Sequence, residues 1–397
     1  MKNIFHTIRS GYRGYTKTQK ICCWIIGINL FIALFADVLA NDKPLFCICD
    51  GHWYFPAFNI NTHNSNLDFN SNQCTYKIHT ILPWGAGSID AGSSGYTPPG
   101  HRAGHHIHWL GTDALGRDVF AGMIYGTRYA WIIGILSTLI AAIPGVFIGM
   151  MIGYWKNDRL RWTWGQLIAM IFWVLILFYE WTALNWIMPS KYSIILSIGI
   201  LLVWYFIGRY IWKWTSSIGK RIRIPLDGMI MRGIDLFESF PKLLLLMALM
   251  IVVTRPSILV LSILIAVIEW TLFAQIARGE TIKESVNNYV LAAQNINIPW
   301  YTILIKHIWP NIKRSLLVTA VFTFSASVLL EASLSFIGLG LKLEQVTWGS
   351  LMNEGRNYLP GWWLYVFPGL AIFSLLFALN WLFIIKSKSD NAIQTFS

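Results

Sequence analysis

The sequence predicts an all-α, polytopic membrane protein with about eight transmembrane helices. Hydrophobic residues make up 55% of the 397 residues and charged residues only 13%, whereas ordinary soluble domains contain about 25% charged residues. The mean hydropathy is +0.51. The apolar residues also gather in stretches of roughly 20, the length of helix that crosses a bilayer.

The predicted spans follow a basic N-terminal tail, residues 1–20. The first span, 21–40, is interpreted as a retained anchor, and a polar loop over 41–126 separates it from the second span, 127–154. Further spans are predicted at 164–188, 192–214, 234–254, 258–276, 316–337 and 364–385, before a C-terminal tail at 386–397.

The distribution of positive charge predicts the orientation of these spans. The net charge is +12, and with the N-terminus in the cytoplasm most Lys and Arg residues fall in cytoplasmic loops, as membrane topology requires. Four of the others lie in the long loop 41–126, which is then extracytoplasmic. Both termini are predicted to be cytoplasmic. Because topology accounts for the basic charge, no nucleic-acid partner is expected.

Residues 277–314 are too polar to span a membrane and are predicted to lie on the cytoplasmic side. Four residues share one helical face by their spacing: Val286, Tyr289, Val290 and Ala293. Asn297 can adopt the left-handed conformation of a helix end, Pro299 suits the first turn of a second helix, and Pro310 should end that helix. Two short helices at a bend are therefore predicted. From periodicity alone, a solvated connector that lies on the membrane surface is an equally good interpretation.

Residues 289–297, YVLAAQNIN, followed by KHIWPN at 306–311, resemble the EAA loop of ABC-importer permeases, and more narrowly the dipeptide/oligopeptide branch. In that family the loop is the coupling helix that docks on the ATPase subunit. The resemblance implies ATPase coupling by Tyr289, Ala292, Ala293, Asn297, His307 and Pro310. Leu291 stands where the family has Glu, which removes a charge from the docking surface, and Asn297 stands where it has Gly.

Other segments resemble the same family in the same order. They are WLGTDALGRDV at 109–119, the D-x-x-x-M-R-x-x-D pattern from 227 with Pro241, and ASLSFIGLG at 332–340 with Trp348-Gly349. The loop around 41–56 is similar to that of a subgroup that includes permeases for microcin-type peptides. The resemblance implies a six-helix permease core, with residues 227–385 containing the coupling loop 277–314.

Residues 155–226 have no counterpart in that pattern, because the family has a short cytoplasmic turn there. Two Trp-rich apolar runs predict an inserted transmembrane hairpin, which returns the chain to the side it left. Packing against lipid is favoured over a role in substrate binding, because Trp in membrane proteins is commonly an interface anchor.

The resemblance implies a peptide importer in the bacterial inner membrane. Its expected partners are ABC ATPase subunits, a second homologous permease, an extracytoplasmic substrate-binding protein and membrane lipid. The sequence contains neither G-x-x-x-x-G-K-[ST] nor H-E-x-x-H, so no bound cofactor or enzymatic activity is expected of this chain, and partner subunits would hydrolyse ATP. The alternatives are a permease for nickel or another small solute, a polytopic membrane enzyme, and a receptor or assembly scaffold.

Three further groups of residues are candidates for sites. Glu269 and Glu331 lie in or near predicted spans, where a carboxylate is costly and often functional, so each is a candidate pore-lining residue. The histidines His101, His105, His106 and His108 could bind a metal ion, although their Gly-rich setting favours a hydrated loop and no metal is predicted. A disulfide from Cys47 or Cys49 to Cys74 stays open and depends on an oxidising environment.

Overall fold

The structure, a computed structural model, describes residues 16–49, 52–58, 74–90, 95–103, 106–155, 161–163, 221–223, 226–253, 256–341 and 345–394. The spans predicted at 164–188 and 192–214 lie outside these residues. The chain divides into two compact units, one formed by Met1–Gly149 with Glu238–Ser397 and the other by Met150–Phe237. The second unit is wider than the insertion at 155–226 that the sequence predicts.

Helices make up most of the described chain. They are α1 (Lys17–Leu34), α2 (Ala36–Leu39), α3 (Val119–Trp155), α4 (Leu226–Glu238), α5 (Lys242–Val252), α6 (Ile258–Glu284), α7 (Asn288–Asn295), α8 (Trp300–Thr302), α9 (Trp309–Ile337), α10 (Trp348–Asn357) and α11 (Trp363–Gln394). A π-helix, Ile303–Ile308, joins α8 to α9, and a short 3₁₀ helix covers Pro56–Phe58.

Five stretches of helix in the described part of the chain are long and apolar enough to cross a membrane. They are Lys17–Leu34, Val119–Trp155, Ile258–Glu284, Trp300–Ile337 and Trp363–Phe383. The prediction of one continuous span over 234–254 is wrong, because α4 ends at Glu238 and α5 begins at Lys242. Pro241 occupies the position before α5. A proline has no backbone N–H to continue a preceding helix, so the apolar stretch is broken there.

Helix α3 starts earlier than the predicted 127, because the sequence before it supplies a cap. The carboxylate of Asp118 accepts a 2.8 Å hydrogen bond from the amide of Ala121, which satisfies one of the unpaired amides of the first turn. Further along, α3 packs closely on α6 through two glycines. A Cβ on Gly145 would lie 2.5 Å from the carbonyl oxygen of Trp270, and one on Gly149 would lie 2.3 Å from that of Ala274.

Helix α9 lies at the centre of the first unit and packs against α6, α10 and α11. One buried cluster joins Phe324 and Val328 of α9 to Trp348 of α10 and Leu375 of α11. A second cluster joins Leu334 of α9 to three other helices through Ile133, Leu246, Leu261 and Ile268. Burial of this apolar surface holds the helices together.

Outward-facing apolar residues recur at helical spacing on the long helices. On α3, Leu139, Ile143 and Phe147 are 55%, 74% and 60% exposed, and on α11 the rings of Phe373 and Phe377 stack 5.7 Å apart. Soluble proteins rarely expose contiguous apolar faces of this kind. On helices of spanning length, such faces indicate contact with lipid.

The strands among the described residues are short, with three to five residues each. Strands β1 (Phe46–Cys49), β2 (His52–Tyr54) and β3 (Cys74–Ile78) form an antiparallel sheet in the order β2-β1-β3, with the backbone of Cys49 opposite that of Cys74. Strands β4 (His101–Ala103) and β5 (His106–His108) form a hairpin. Within the second unit, β6 (Arg161–Thr163) pairs with β7 (Arg221–Arg223) in antiparallel register.

Candidate functional site

The bend predicted within residues 277–314 is formed by α7 and the turn that follows it. Asn297 has a φ of +57°, as expected for a helix end in the left-handed conformation. The amide of Ile298 donates to the carbonyl of Ala293 at 3.1 Å, and the amide of Asn297 donates to that of Gln294 at 3.0 Å. This pair of hydrogen bonds is a Schellman motif. Asn tolerates the left-handed region better than most residues, so the local sequence accounts for the end of α7.

The helix predicted to stop at Pro310 instead continues into the membrane-length helix α9. The π-helix Ile303–Ile308 directly precedes α9, and Pro310 lies in the first turn of α9. A helix can accept proline in its first turn, where the missing N–H has no intrahelical partner to lose. The hydrogen-bonding pattern changes from π to α at Trp309. The residues directly after this change therefore form the first turn of an α-helix, although the helix as a whole is continuous. The prediction of a stop at Pro310 is therefore wrong, and helix runs from Trp300 to Ile337.

A polar cluster holds α7 between the end of α6 and the start of α9. The hydroxyl of Tyr289 donates to the carboxylate of Glu284, which also accepts a 2.7 Å bond from the side chain of Asn287. The amide of Asn311 donates to the Tyr289 oxygen at 2.8 Å and to the carbonyl of His307 at 2.9 Å. Burial, followed by the hydrogen bond to Glu284, raises the pKa of Tyr289, so the phenol stays protonated as a donor.

The two long faces of α7 differ in exposure. Val290 and Ala293 are buried at 0% and 5% exposure, and α7 contacts the π-helix. Ala292 is exposed, and Leu291 and Ile296 are 43% and 73% exposed. The expectation that Ala293 lies on an outer docking surface does not fit its position, because its methyl group packs inward.

The remaining residues expected to act in coupling lie around this bend. Tyr289 and His307 have ring centroids 6.4 Å apart, and Asn297 and Pro310 are exposed. The structure thus brings Tyr289 and His307 together, and places Ala292 and Asn297 on the outside. Sequence reasoning assigned no role to Glu284 or Asn311. Asn311 could have been identified from the sequence, because it follows Pro310 directly within the KHIWPN motif. No feature of the sequence indicated a role for Glu284.

The two candidate pore-lining carboxylates are buried within packed helices. Glu269 is 1% exposed and accepts a 2.9 Å hydrogen bond from Nζ of Lys242, which ties α6 to the start of α5. Glu331 is 3% exposed and accepts a 2.7 Å bond from the hydroxyl of Ser335. Both carboxylates therefore have partners from this chain, and a role in lining a pore remains a prediction.

The WLGTDALGRDV segment forms a tight turn ahead of α3. Gly111 has a φ of +81°, and a Cβ there would lie 2.5 Å from the carbonyl oxygen of Thr97. Asp113 accepts a 2.6 Å bond from Nε of Arg117 and a 2.9 Å bond from the Arg117 amide. The glycine and the two charged residues are thus required by the backbone of the turn, which gives this motif a structural role.

His108 is buried next to this turn between two carboxylates. Its Nδ1 lies 2.7 Å from Asp118 and its Nε2 lies 3.3 Å from Asp90, while Trp84 stacks on the ring at 5.0 Å. The hydrogen bond to Asp118 is the main reason that the pKa of His108 is raised. Among the described residues there is no group of three or more His, Cys, Asp and Glu side chains that could hold a metal ion. His105 lies outside those residues.

Comparison with known proteins places the bend within a recognised domain. Residues 214–385 match the family described as binding-protein-dependent transport system inner membrane component. The inner membrane ABC transporter permease protein YejE of Escherichia coli (strain K12) is 26% identical over 93% of this chain and 90% of its own length. The dipeptide transport system permease protein DppC of Bacillus subtilis (strain 168) is 26% identical over 69% of this chain and 65% of its own length.

A third relative extends the range of substrates named among similar proteins. The glutathione transport system permease protein GsiD of Pectobacterium atrosepticum is 26% identical over 69% of this chain and 68% of its own length. Both compounds named for these relatives, dipeptide and glutathione, contain peptide bonds. Together with the apolar helices, the similarity indicates a multi-pass inner-membrane protein.

Proposed function

We propose that the chain is the permease subunit of an ABC importer for peptides, because residues 214–385 match the family of binding-protein-dependent transport inner-membrane components. The observation that carries the proposal is the exposed side of α7, which lies within these residues and carries Leu291 and Ala292, with the exposed Ile296 directly after the helix. Apolar side chains are expected on a surface that a protein partner covers. We assign this face to the ATPase subunit.

The packing of the bend gives a route from that face into the membrane. Tyr289 and Asn311 connect α7 to the first turn of α9, and Ser315 of α9 donates to Glu280 of α6 at 2.9 Å. A displacement of α7 by a partner would therefore act on two membrane-length helices together. Such coupling requires two states that partners on opposite sides favour differently.

The orientation proposed from the charge distribution puts α7 in the cytoplasm, where ATP is available. Both chain termini are then cytoplasmic, and the loop that precedes α3 faces outward to receive a substrate-binding protein. A second, homologous permease would complete the pore. This chain would bind no cofactor and hydrolyse nothing, because its partner ATPase subunits would provide the ATP hydrolysis.

The peptide substrate is supported by the names of the relatives, which include dipeptide and glutathione permeases. Uptake by the complete importer in proteoliposomes, with its binding protein and ATP, tests the assignment. Labelled dialanine should accumulate in an ATP-dependent manner, and nickel ions should not. ATP-dependent nickel uptake without peptide uptake would replace the peptide by a metal substrate, and uptake of neither would contradict the importer assignment.

A further inference from the structure

A cavity lined by both polar and apolar residues lies where α9 ends and α10 begins, beside the turn that precedes α3. Its volume is about 500 Å³, which falls within the range of small-molecule sites, roughly 300–1,000 Å³. Its polar lining comes from three parts of the chain: Arg117, Ser335, Gln345, Ser350, Asn353 and Glu354. In the proposed orientation this cavity is at the extracytoplasmic end of the core, opposite α7.

Two side chains of the lining have buried polar atoms that the described protein does not satisfy. Oε1 of Gln345 and Oδ1 of Asn353 are buried without a hydrogen-bond partner among the described residues. Buried amide oxygens nearly always accept a hydrogen bond. Both residues line the cavity, so a molecule within it can supply the missing donors.

The charges of the described lining residues favour a cation over an anion. Arg117 is the positively charged residue among them, and its guanidinium is already held by Asp113 at 2.6 Å. The carboxyl group of Glu354 also lines the cavity. Burial, followed by the nearby charge of Asp113, raises the pKa of Glu354, and Arg117 offsets this only in part. A bound cation would favour the ionised carboxylate.

We propose that this cavity binds the N-terminal ammonium group of the transported peptide, with Glu354 as its counter-ion and Gln345 and Asn353 as hydrogen-bond acceptors. An ammonium group has three N–H donors and no acceptor, which matches one carboxylate and two amide oxygens. The inference rests on the proposed peptide substrate and assigns it a site on the permease itself.

The position of the cavity also connects it to the membrane-length helix α9. Ser335, on its wall, donates to the buried carboxylate of Glu331, and α9 continues from there to the bend that carries Asn311. Occupation of the cavity can therefore act on the same helix that contacts α7. This places the ammonium site where substrate arrival would affect the coupling bend.

The electrostatic part of the proposal can be tested without transport. In the full-length importer, with the five native cysteines of this chain replaced by serine, Ser350→Cys introduces a thiol on the cavity wall. Two reagents are compared: 2-aminoethyl methanethiosulfonate, which carries a primary ammonium group, and the anionic 2-sulfonatoethyl methanethiosulfonate. The rate at which each modifies this thiol is divided by its rate with a small free thiol in solution. After this normalisation the ammonium reagent should react about tenfold faster than the anionic reagent. One charge-assisted hydrogen bond changes the affinity for a ligand by about this factor.

Matched variants decide which residue causes the preference. Adding Glu354→Gln should abolish it, whereas Arg356→Gln, an exposed charge change on the same helix α10, should leave it intact. Leu341→Cys, at another residue of the lining, provides a second reporter position if Ser350→Cys disturbs the cap of α10. Equal normalised rates at both positions, or a preference that survives Glu354→Gln, would overturn the ammonium site.

Peptide protection and uptake separate this inference from the proposed function. Trialanine should slow the modification, and N-acetyl-trialanine should not, because acetylation removes the charge. In the wild-type background, Glu354→Gln should lower trialanine uptake about tenfold while ATP hydrolysis stimulated by the binding protein persists. A cation preference without protection by trialanine would overturn peptide as the occupant. Parallel loss of uptake and ATP hydrolysis in Glu354→Gln would indicate a structural role instead.

Discussion

The side-chain amide of Asn311 donates a hydrogen bond of 2.8 Å to the phenolic oxygen of Tyr289, 22 positions earlier in the chain. Tyr289 lies on the short helix α7 and Asn311 in the first turn of the membrane-length helix α9. The bond therefore fixes an exposed helix to one that crosses the core. On this account, the polar side chains of the bend hold the docking helix in place, and the exposed apolar side chains make the docking contact.

Removal of the Tyr289 hydroxyl should loosen α7 without removing its ring. Tyr289→Phe takes away the acceptor for Asn311 and the donor for Glu284. The two lost hydrogen bonds cost about 1 kcal/mol each, so the amides of α7 should exchange hydrogen about 30-fold faster. Hydrogen exchange with mass spectrometry measures this rate. Tyr301→Phe, where the ring is 53% exposed, is the control, and equal exchange in both variants and wild type would contradict the role of Tyr289.

The backbone at Asn297 should accept glycine and reject a β-branched residue. With φ at +57°, Asn297→Val places its side chain in the left-handed region, at a cost of about 1–2 kcal/mol. Protection of the Ile298 amide, which donates to Ala293, should then fall about tenfold. Asn297→Gly should keep that protection. A valine variant as protected as the glycine variant would show that the left-handed turn is absent.

Protonated His108 should stabilise the loop before α3 at mildly acidic pH. Asp118 and Asp90 both contact the ring and Trp84 stacks on it, and the hydrogen bond to Asp118 raises the pKa of His108 in the folded protein. The stabilisation is fully present below the ordinary pKa of about 6.5. It is lost as the pH rises through the higher folded pKa.

The unfolding temperature of the purified protein measures this effect. It should fall from about pH 6 to about pH 9, and His108→Gln should remove most of that fall. His79→Gln changes an exposed histidine and should behave as wild type. A pH dependence that is the same in wild type and His108→Gln would contradict the assignment to His108.

The antiparallel pairing of β6 with β7 puts the two ends of the intervening segment next to each other. Arg161 is opposite Arg223, and Thr163 is opposite Arg221. Residues 164–220 between them lie outside the described residues, and the sequence predicts that they form a transmembrane hairpin. Single cysteines at Ser190 and Ser217, in a cysteine-free background, should therefore be labelled from opposite sides of the membrane. Labelling of both from the cytoplasmic side would rule out the hairpin.

Local chemistry predicted the parts of the bend that depend on a few neighbouring residues. The left-handed end of α7 follows from Asn297 and the residues next to it, and the structure confirms it. The prediction that the helix ends at Pro310 was wrong for a related reason. Proline ends a regular α-helix, but the preceding π-helical turn makes Pro310 a first-turn residue, and nothing in the local pattern marks that change.

Contacts between distant residues could not be predicted in the same way. The ion pair of Lys242 with Glu269 and the bond from Asn311 to Tyr289 depend on how separate helices pack, which helical periodicity does not specify. The same limit applies to Ala293. Its spacing predicted that it shares a helical face with Val290, but not that other residues of this chain bury that face. The long apolar helices were predicted because hydrophobicity and length alone identify them.

Docking of the ATPase subunit on the exposed side of α7 can be tested with Ala292→Trp. Ala292 is exposed, so the variant should insert and pair as wild type, but an indole there should clash with the partner, and overpacking costs about 1–3 kcal/mol. Ala293→Trp, at a buried position, should instead lower the yield of folded protein. Leu359→Trp, 81% exposed after α10, is the surface control.

The deciding measurement is the amount of ATPase subunit that co-purifies with equal amounts of folded permease. Ala292→Trp should retain about one tenth of the wild-type amount, and Leu359→Trp should retain all of it. Retention of the ATPase by Ala292→Trp at the wild-type level would contradict docking on α7.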